Sequence, residues 1–462
     1  MIRTKVIEAL TLAIVSVAAA STIAYGQTPV TLVNFDIANG DFPYFGSLVQ
    51  ATNGSLYGAT YEGGANSYGT IFKITPAGAL TTLHSFGVTE GILPAGPLVQ
   101  AGNGDLYGTT WEGGANSYGT IFKITPSGVL TTLHSFDSTD GADASSGLIQ
   151  ATNGDLYGTT YNGGSINCGT IFRITPAGVF TSLHSFDLTD GCHTYAGVVQ
   201  ATNGYLYGTT YQGGASSFCP DGCGTIFKIT PAGVFTTVHS FDGKDGTYPY
   251  AALIQATNGL LYGSTTSGGS FGYGTIFQIT PAGALTTLVS FNVLDGADPQ
   301  ASLLQATDGN FYGTTPSGGK SGNGTIFELT PAGVLTSLFS FDNTDGDAPF
   351  AALMEDTNGT LYGTTNLGGT TNDGTLFSLS LGLGRFVETR PASGAVGAAI
   401  KILGTELTGA TSVTFNGTAA AFTVVSGAEI TTTVPAGATS GTVQVVTPSG
   451  TFLSNVSFRV LP

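Results

Sequence analysis

Apolar and polar positions alternate along the first four-fifths of the chain, and the alternation returns at a fixed interval. Each repeat contains four short runs of strand character and no run with a helical period. The tyrosine of the phrase LYGTT, or a close variant, marks the interval at Tyr57, Tyr107, Tyr157, Tyr207, Tyr262, Tyr312 and Tyr362. The spacing is fifty residues, apart from one step that carries a five-residue insertion. Four strands in a repeat of this length are typical of a β-propeller.

The third repeat shows the four strands most clearly. The predicted strands are residues 148–152, 155–161, 169–175 and 179–186. Asn153-Gly154 joins the first two strands, and this pair tolerates the positive φ angles of a tight hairpin turn. Pro176-Ala177-Gly178 joins the last two, because proline presets one turn position and glycine accepts a positive φ at another. Each repeat is therefore predicted to form one four-stranded antiparallel blade.

The two ends of the repeat region complement each other. The seventh repeat stops after its third strand, residues 374–380, and residues 30–36 match the missing fourth strand. We predict that the two segments complete one blade together and close a ring of seven blades. An open solenoid is the alternative, but an open array of repeats gives no reason for one repeat to be divided between the two ends of the repeat region.

The repeated phrase LYGTT–GG–GTIFKITPAG–LHSFD resembles the bacterial GloVer (Gloeo/Verruco) tandem-repeat family over residues 30–380. The pattern changes after residue 385, where the predicted strands are 399–403, 412–415, 421–425, 429–434, 442–446 and 456–461. Phrases such as Pro391-Ala392-Ser393-Gly394 and Val413-Thr414-Phe415-Asn416-Gly417 resemble an IPT/TIG domain. That resemblance implies an immunoglobulin-like sandwich, a common spacer or interaction module of surface proteins. The predicted fold is all-β: a seven-bladed β-propeller followed by an immunoglobulin-like β-sandwich.

The start of the chain has the features of a secretory signal peptide. Arg3 and Lys5 precede a largely apolar stretch, and small residues stand before Gln27. The predicted organisation is a signal peptide at 1–26, the propeller at 27–381, a linker at 382–390 and the IPT/TIG domain at 391–462. We therefore expect an exported monomer, secreted or associated with the cell surface, with no transmembrane segment once the signal is removed.

The chain is strongly acidic. Its formal net charge is −17, and removal of the predicted signal peptide would bring it to −18 because that segment holds two basic residues and one acidic residue. Phosphate binding requires basic patches, so nucleic acid is excluded as a partner. Neutral ligands, cations and basic proteins remain open.

Strand polarity divides the loops between the two faces of the predicted disc. The Asn-Gly and Pro-Ala-Gly hairpins lie on one face, and the longer loops lie on the other, which we call the long-loop face. Aromatic residues with polar neighbours recur there in the first four repeats: Tyr61 with Glu62, Trp111 with Glu112, then Tyr161 and Tyr211. An arc of flat rings beside polar groups is typical of sugar or peptide binding. Packing between blades is the alternative interpretation.

The connections between blades are rich in aspartate. Two sets contain three aspartates each, Asp137, Asp140 and Asp143, and Asp342, Asp345 and Asp347, although neither matches a known calcium-binding pattern. Flexible loops rich in oxygen atoms suit Ca²⁺, which takes six to eight oxygen ligands. The alternative, which we favour, is that these side chains hydrogen-bond the backbone of their own turns.

Histidine and cysteine add little catalytic potential. His84, His134, His184 and His239 occupy one repeat position on the outermost strand, so the repeat itself explains them, and His193 is expected to be a solvated loop residue. Four cysteines in an exported protein favour disulfides. Of three possible pairings we prefer Cys219–Cys223 with Cys168–Cys192.

These observations favour a non-enzymatic recognition protein that binds glycan or protein ligands through the long-loop face. A polysaccharide-acting glycosidase or lyase is the alternative, because propellers host such enzymes and they use acidic pairs. A structural spacer outside the cell is the third possibility. The acidic residues mostly follow the repeat, whereas a catalytic pair should break it, so binding is preferred to catalysis.

Overall fold

The computed structural model describes residues 22–23, 28–44 and 46–461, and every regular element among them is a β-strand. Seven sheets share one pattern of four antiparallel strands, which we name strands a to d from the centre of the disc outward. A smaller set of sheets forms the C-terminal domain. The predicted fold class, a propeller followed by an immunoglobulin-like sandwich, is confirmed. The number of blades stays a prediction, and it agrees with these seven sheets. The proposed signal peptide lies largely outside the described residues.

The strands of the seven sheets recur at matching positions. The a strands are Val49–Gln50, Val99–Gln100, Ile149–Gln150, Val199–Gln200, Ile254–Gln255, Leu304–Gln305 and Met354–Glu355. The b strands are Leu56–Thr60, Leu106–Glu112, Leu156–Thr159, Leu206–Thr210, Leu261–Thr265, Phe311–Thr315 and Thr360–Thr365. The c strands are Thr70–Ile74, Thr120–Ile124, Thr170–Ile174, Thr225–Ile229, Thr275–Ile279, Thr325–Leu329 and Thr375–Ser380. The d strands are Leu80–Ser85, Leu130–Ser135, Phe180–Ser185, Phe235–Ser240, Leu285–Ser290 and Leu335–Ser340, with Val30–Asn34 as the seventh. Two short strands join this set: Ile92–Pro94 in the second blade and Thr22–Ile23 beside Leu335–Ser340.

Packing inside a blade explains the recurring phrase LYGTT. The tyrosine is fully buried, and in the first blade the hydroxyl of Tyr57 accepts a hydrogen bond of 2.7 Å from the side-chain amide of Asn53 in the a–b hairpin. The next residue, Gly58, lies against Phe72, whose ring tip would be 2.5 Å from a Cβ atom at that position. Only glycine leaves room for the ring, so the tyrosine, the glycine and the phenylalanine recur together.

A ring of side-chain hydrogen bonds joins each blade to the next. The last residue of strand a is glutamine in the first six blades and Glu355 in the seventh. Its side chain accepts the backbone N–H of the preceding blade's a–b hairpin; the donor–acceptor pairs are Thr52–Gln100, Gly102–Gln150, Thr152–Gln200, Thr202–Gln255, Thr257–Gln305, Thr307–Glu355 and Thr357–Gln50. We call this set the glutamine ring. Its last bond spans 307 residues and joins the seventh blade to the first.

The N-terminal strand completes the seventh sheet. Val30–Asn34 pairs antiparallel with Thr375–Ser380, in the place that strand d takes in the other blades. Phe35 is fully buried in a core cluster that contains residues of the first and the seventh blades. The strand is shorter than the predicted 30–36, because the chain turns at Asp36, whose carbonyl accepts the N–H groups of Asn39 and Gly40.

Small residues line the centre of the disc. One residue from each sheet meets around a cavity of about 140 Å³: Ser47, Pro97, Gly147, Gly197, Ala252, Ser302 and Ala352. Tyr195 and Tyr250 line the same cavity, which we call the central tunnel. Its mouth on the long-loop face is where the candidate site lies.

The C-terminal domain is a sandwich of two four-stranded sheets and one two-stranded sheet. Its strands are Glu388–Arg390, Ser393–Ala395, Ala399–Leu403, Ser412–Phe415, Thr418–Ala419, Phe422–Val424, Glu429–Thr433, Val443–Thr447, Gly450–Leu453 and Arg459–Leu461. The first of these strands lies within the predicted linker of 382–390. It belongs to the sandwich because Phe386 and Val387 are buried and Glu388–Arg390 pairs with Ala399–Leu403.

The sandwich contacts the hairpin face of the propeller. Arg390 donates a hydrogen bond of 3.1 Å from Nη1 to Oε1 of Gln100, a member of the glutamine ring. The Oγ1 atoms of Thr357 and Thr405 lie 2.8 Å apart and share another hydrogen bond. These contacts lie on the face opposite the long loops, so they leave the long-loop face uncovered by the sandwich.

Candidate functional site

The b–c loops and the connections between blades form one layer on the long-loop face. Backbone bridges join each connection to the following b–c loop, as between Asp41 and Glu62 and between Cys192 and Gln212. The prediction that both kinds of loop lie on the same face follows from the antiparallel order of the strands, and the structure has this arrangement. The layer surrounds the mouth of the tunnel.

One position of this layer has left-handed backbone in all seven connections. The residues are Phe42, Leu93, Asp143, His193, Tyr248, Asp298 and Ala348, with φ between 50° and 59°. This conformation costs a non-glycine residue about 1 kcal/mol. Two backbone hydrogen bonds offset the cost; at His193, for example, the N–H donates to Cys168 of one blade and the carbonyl accepts from Tyr211 of the next. The residue with left-handed backbone thus links two blades by hydrogen bonds. It also directs the following residues toward the mouth of the tunnel.

Aromatic side chains gather on one side of the mouth. Tyr195, two residues after a left-handed position, has its ring centroid 4.6 Å from that of Tyr161, 5.3 Å from that of Tyr211 and 4.0 Å from that of Tyr250. Trp111 lies 5.6 Å from Tyr161. These distances are typical of favourable ring contacts. Trp111, Tyr161, Tyr195, Tyr211 and Tyr250 therefore form one connected cluster, while the ring of Tyr61 lies 6.1 Å from that of Tyr44.

A cavity of about 410 Å³ opens among these rings. Its walls are Phe42, Tyr44, Tyr61, Glu62, Trp111, Tyr195, Tyr250 and Asn366. A volume of this size lies in the range of pockets that take small molecules or a side chain of a larger partner. We call it the aromatic cavity and regard it as the candidate site.

Acidic residues surround one edge of the aromatic cavity. Burial raises the pKa of the Tyr61 hydroxyl to about 12, and the nearby carboxylates of Glu112, Glu62 and Asp143 contribute to the shift. Burial also raises the pKa of Asp41 to about 6, and the negative charges of Asp373 and Glu62 add to the effect. The edge is therefore a region of negative potential beside apolar rings.

The structure separates the six predicted ligand-binding residues into two groups. Tyr61, Glu62 and Trp111 line the aromatic cavity. Tyr161 and Tyr211 lie in the ring cluster beside Tyr195, while the cavity's lining includes neither of them nor the exposed Glu112. Ligand binding by these six residues stays a prediction.

Sequence reasoning missed the aromatic residues that follow the left-handed position. Tyr44, Tyr195 and Tyr250 all line the cavity. In an alignment of the repeats this column reads Tyr44, Ala95, Ser145, Tyr195, Tyr250, Gln300 and Phe350, while the column before it is mostly proline and the column after it is mostly small residues. A variable column between two more uniform columns of the repeat is the sequence signal by which these residues could have been predicted.

The expectation that His193 is merely a solvated loop residue is wrong. Its ring stacks on Tyr161 at 4.4 Å with an interplanar angle of 18°, and its Nδ1 lies 3.1 Å from the carbonyl oxygen of Tyr161. His193 itself has left-handed backbone, with a φ of 58°. His193 is part of the aromatic cluster.

The acidic connections have the hydrogen bonds of Asx turns. Oδ1 of Asp137 accepts from the backbone N–H groups of Thr139 and Asp140, and Oδ1 of Asp342 accepts from the N–H and hydroxyl of Thr344. Asp143 instead accepts a bond of 2.7 Å from the Asn162 amide. Burial raises the pKa of Asp143, Asp345 and Asp347, and turn hydrogen bonds lower that of Asp137 and Asp342. Over residues 28–44 and 46–461, no three histidine, cysteine or acidic side chains are grouped as for a metal ion. Calcium binding by these residues, including Asp140, stays a prediction.

The rim histidines each pair with an acidic residue six positions later. The Nε2-to-carboxylate distances are 2.6 Å for His84–Glu90, 2.8 Å for His134–Asp140, 2.9 Å for His184–Asp190 and 2.7 Å for His239–Asp245. Each pair holds strand d to the connection that follows it. The histidines thus have a structural role that belongs to the repeat.

Both predicted disulfides are confirmed. Cys168–Cys192 joins the b–c loop of the third blade to the following connection, next to His193. Cys219–Cys223 closes a short loop within the insertion of the fourth blade. Disulfides are typical of proteins that fold in an oxidising compartment, so they indicate a protein of the cell exterior.

Comparison with known proteins supports the architecture. The Gloeobacter/Verrucomicrobia repeat matches residues 19–220 and 218–423, and the IPT/TIG domain matches residues 387–460. No curated protein matches the sequence. In the part of the chain that the structure describes, no helix is long and apolar enough to cross a membrane.

Two solved structures share the fold. A fungal alcohol oxidase of the AA5 family, in complex with copper, is 13% identical with a TM-score of 0.51, over 91% of this chain and 98% of its own. The extracellular domain of a hybrid two-component system from B. thetaiotaomicron is 14% identical with a TM-score of 0.50, over 93% of this chain and 54% of its own. The chain therefore spans about half the length of the second protein. At these identities the likeness concerns the fold alone.

Proposed function

Because the chain belongs to the Gloeobacter/Verrucomicrobia repeat family and carries an IPT/TIG domain, we propose that it is an exported recognition protein without catalytic activity. It binds a glycan or protein ligand through the long-loop face. The observation that carries this proposal is the aromatic cavity at the mouth of the tunnel. The secretory signal at residues 1–26 and the monomeric state are parts of the same proposal.

The chemistry of the aromatic cavity suits binding. Flat rings such as Tyr61 and Trp111 offer apolar area with few rotatable bonds, so little conformational entropy is lost when a ligand is ordered against them. The cavity lies at the centre of a large disc, where long loops from several blades converge. A ligand that enters it therefore contacts residues of different blades at once.

Hydrolysis is the second candidate, and the geometry ranks it lower. A glycosidase places two carboxyl groups on either side of the bond it cleaves. Among the described residues, Glu62 is the one carboxylate that lines the cavity. The acidic neighbours Asp41 and Glu112 lie outside the lining, so binding is the better-supported function.

Trp111 provides an intrinsic probe for the experiment. It is the only tryptophan of the chain and lines the cavity, so a ligand that stacks there should shift its fluorescence. A glycan array, combined with a screen of extracellular proteins and a hydrolase screen, supplies the candidates. Trp111→Ala should weaken binding by roughly 1–3 kcal/mol, as expected for the loss of an aromatic anchor, and should leave the protein folded because the ring is only partly buried.

The matched control is Tyr118→Ala. Tyr118 lies in the same b–c loop as Trp111, but its side chain is exposed and is not part of the cavity's lining. The Tyr118→Ala variant should bind every ligand with the affinity of the unmodified protein. If Trp111→Ala folds and binds every ligand unchanged, recognition does not use this cavity, and if it unfolds, the ring serves blade packing.

A further inference from the structure

The aromatic cavity presents ring faces to whatever enters it. Tyr44, Tyr61, Trp111, Tyr195 and Tyr250 contribute rings from five different connections or strand ends. The face of an aromatic ring carries negative electrostatic potential and attracts cations, with tryptophan the strongest of the aromatic residues in this respect. Walls of this kind fit a neutral sugar or an organic cation. The rings alone do not discriminate between these two ligand classes.

The carboxylates at the edge of the cavity favour an organic cation over a neutral sugar. Glu62 lines the cavity, and two backbone hydrogen bonds of 2.9 Å and 3.0 Å join it to Asp41. Asp41 has a relative exposure of only 9%, and its Oδ1 has no hydrogen-bond partner. Asp373 is near enough to raise the pKa of Asp41 further. Three acidic residues therefore share one edge, and one oxygen of the buried Asp41 carboxylate has no donor.

No basic residue of the described chain offsets this charge. The ion pairs of the protein involve none of Asp41, Glu62 and Asp373 within residues 28–44 and 46–461. The same residues do not form a group suited to a metal ion. A buried carboxylate without a partner is costly unless a cation or hydrogen-bond donors reach it. A cation or hydrogen-bond donors from outside the chain must therefore compensate this negative charge, or it lowers the stability of the folded protein.

An acceptor in the lining of the cavity also lacks a donor. Oδ1 of Asn366 is buried and has no partner among the described residues, and Asn366 is part of the lining. A quaternary ammonium group has no N–H to give to such acceptors, whereas a guanidinium has five and a primary ammonium has three. A sugar hydroxyl would satisfy the acceptors but would leave the acidic edge without a counter-charge.

On these grounds we propose that the aromatic cavity takes the guanidinium or ammonium group of a basic protein segment, an arginine or lysine side chain. This inference rests on the proposed function and specifies the ligand of the same site. The rings stack on the cation, while Glu62 and the Asp41 edge supply its counter-charge and hydrogen-bond acceptors. The net charge of the chain, −17, favours the approach of such a partner.

A pair of probes that differ only in charge tests the proposal. N-acetyl-arginine amide carries a guanidinium, and N-acetyl-citrulline amide has a urea of the same shape without the charge. Both are titrated into the full-length exported protein while the fluorescence of Trp111 is followed. The arginine probe should bind at least tenfold more tightly, and its affinity should fall severalfold between 50 and 500 mM NaCl, because salt screens a partly exposed charge pair.

Two matched variants separate Glu62 from general acidity. Glu62→Gln should lower affinity for the arginine probe about tenfold and leave the citrulline probe within about twofold. Asp221→Asn removes the same charge from an exposed loop residue of the fourth blade, outside the cavity's lining, and should change either affinity less than about threefold. Circular dichroism and melting temperature confirm that both variants remain folded.

The outcomes distinguish this inference from the proposed function. Equal affinities for the two probes, or an unchanged preference in Glu62→Gln, would overturn the cationic ligand while the cavity remains a binding site. Tighter binding of glucosamine than of the arginine probe would overturn the assignment to a protein segment. If no probe, glycan or protein changes the fluorescence of Trp111 or binds by calorimetry, the proposed function itself fails.

Discussion

At the scale of the residue, Glu355 is the exception in the glutamine ring. In the second to sixth blades the glutamine also donates to its own hairpin, as Gln305 does to the carbonyl of Gly309. Ionised Glu355 cannot donate, although its two oxygens accept from the N–H and the hydroxyl of Thr307. Burial raises the pKa of Glu355 from 4.5 to about 7, and the bonds from Thr307 oppose this shift. The seventh blade thus contains a buried acid where the others contain an amide.

This difference predicts a pH-dependent effect of Glu355→Gln. Between pH 4.5 and about 7, folded Glu355 retains a proton that the unfolded chain releases, so the free energy of unfolding falls as pH rises through this window. Glutamine removes that loss. The variant should be more stable than the unmodified protein by roughly 1 kcal/mol at pH 8, and the two should be nearly equal at pH 4. Thermal unfolding at the two pH values measures the difference.

The reverse change provides the control. Gln305→Glu places an acid at the equivalent position of the sixth blade, and it should destabilise the protein at pH 8 more than at pH 4. A stability difference for Glu355→Gln that is the same at both pH values would contradict the assigned role of the carboxylate.

At the scale of the element, the two disulfides should differ in what they stabilise. Cys168–Cys192 closes a loop with a sequence separation of 24, so its removal in a double serine variant should cost on the order of 3 kcal/mol in the chain-entropy model. It also holds the connection that presents His193 and Tyr195, so the aromatic cluster should loosen with it. Chemical denaturation and Trp111 fluorescence report the two effects separately.

Cys219–Cys223 serves as the matched comparison. Its sequence separation is 4, and a loop this short has little entropy to lose. The corresponding double serine variant should unfold close to the midpoint of the unmodified protein. Equal losses from the two variants would show that loop entropy does not govern their contributions.

The blade was predictable from the sequence because each of its signals is local. Asn-Gly and Pro-Ala-Gly turns fix the hairpins, and the alternation of apolar residues fixes the faces of the strands. The strand ends were predicted too generously: the second strand of the third blade was expected at 155–161 and runs from Leu156 to Thr159. The residues beyond it turn outward into the b–c loop, where pairing depends on contacts with the preceding connection.

The candidate site was only half predictable for the same reason. Tyr61 and Trp111 end a recognisable strand, so the repeat shows their location. Tyr195 and Tyr250 reach the cavity because the residue two positions earlier has left-handed backbone, and that conformation is held by hydrogen bonds to two different blades. A bond between blades leaves no local pattern. The stacking of His193 on Tyr161 is hidden in the same way.

At the scale of the whole molecule, closure rests on the N-terminal strand. Val30–Asn34 and the bond from Thr357 to Gln50 join the seventh blade to the first. Deletion of residues 28–34 should expose the edge of Thr375–Ser380, and an unpaired edge invites association between chains. We expect a lower melting temperature and soluble oligomers in size-exclusion chromatography with light scattering.

A milder variant separates closure from loss of sequence. Replacing Thr31 by proline removes one backbone donor within the closing strand and retains its length, and it should lower the melting temperature in the same direction. The same change at Thr82, which pairs with Phe72 as Thr31 pairs with Phe377, is the internal control, because the first blade keeps all four strands in one stretch of chain. A deletion variant that stays monomeric and melts as the unmodified protein does would refute closure by this strand.

The split blade also constrains the order in which the chain can fold during synthesis. Asn34 contacts Thr370, which follows it by 336 residues, so the closing strand is made first and used last. Six blades can form in turn as their four strands emerge, while this segment has no partner until nearly the whole propeller has been synthesised. Until then the strand is exposed to chaperones and to other nascent chains. The step that completes the ring therefore waits until the seventh blade has been synthesised, however quickly each blade forms.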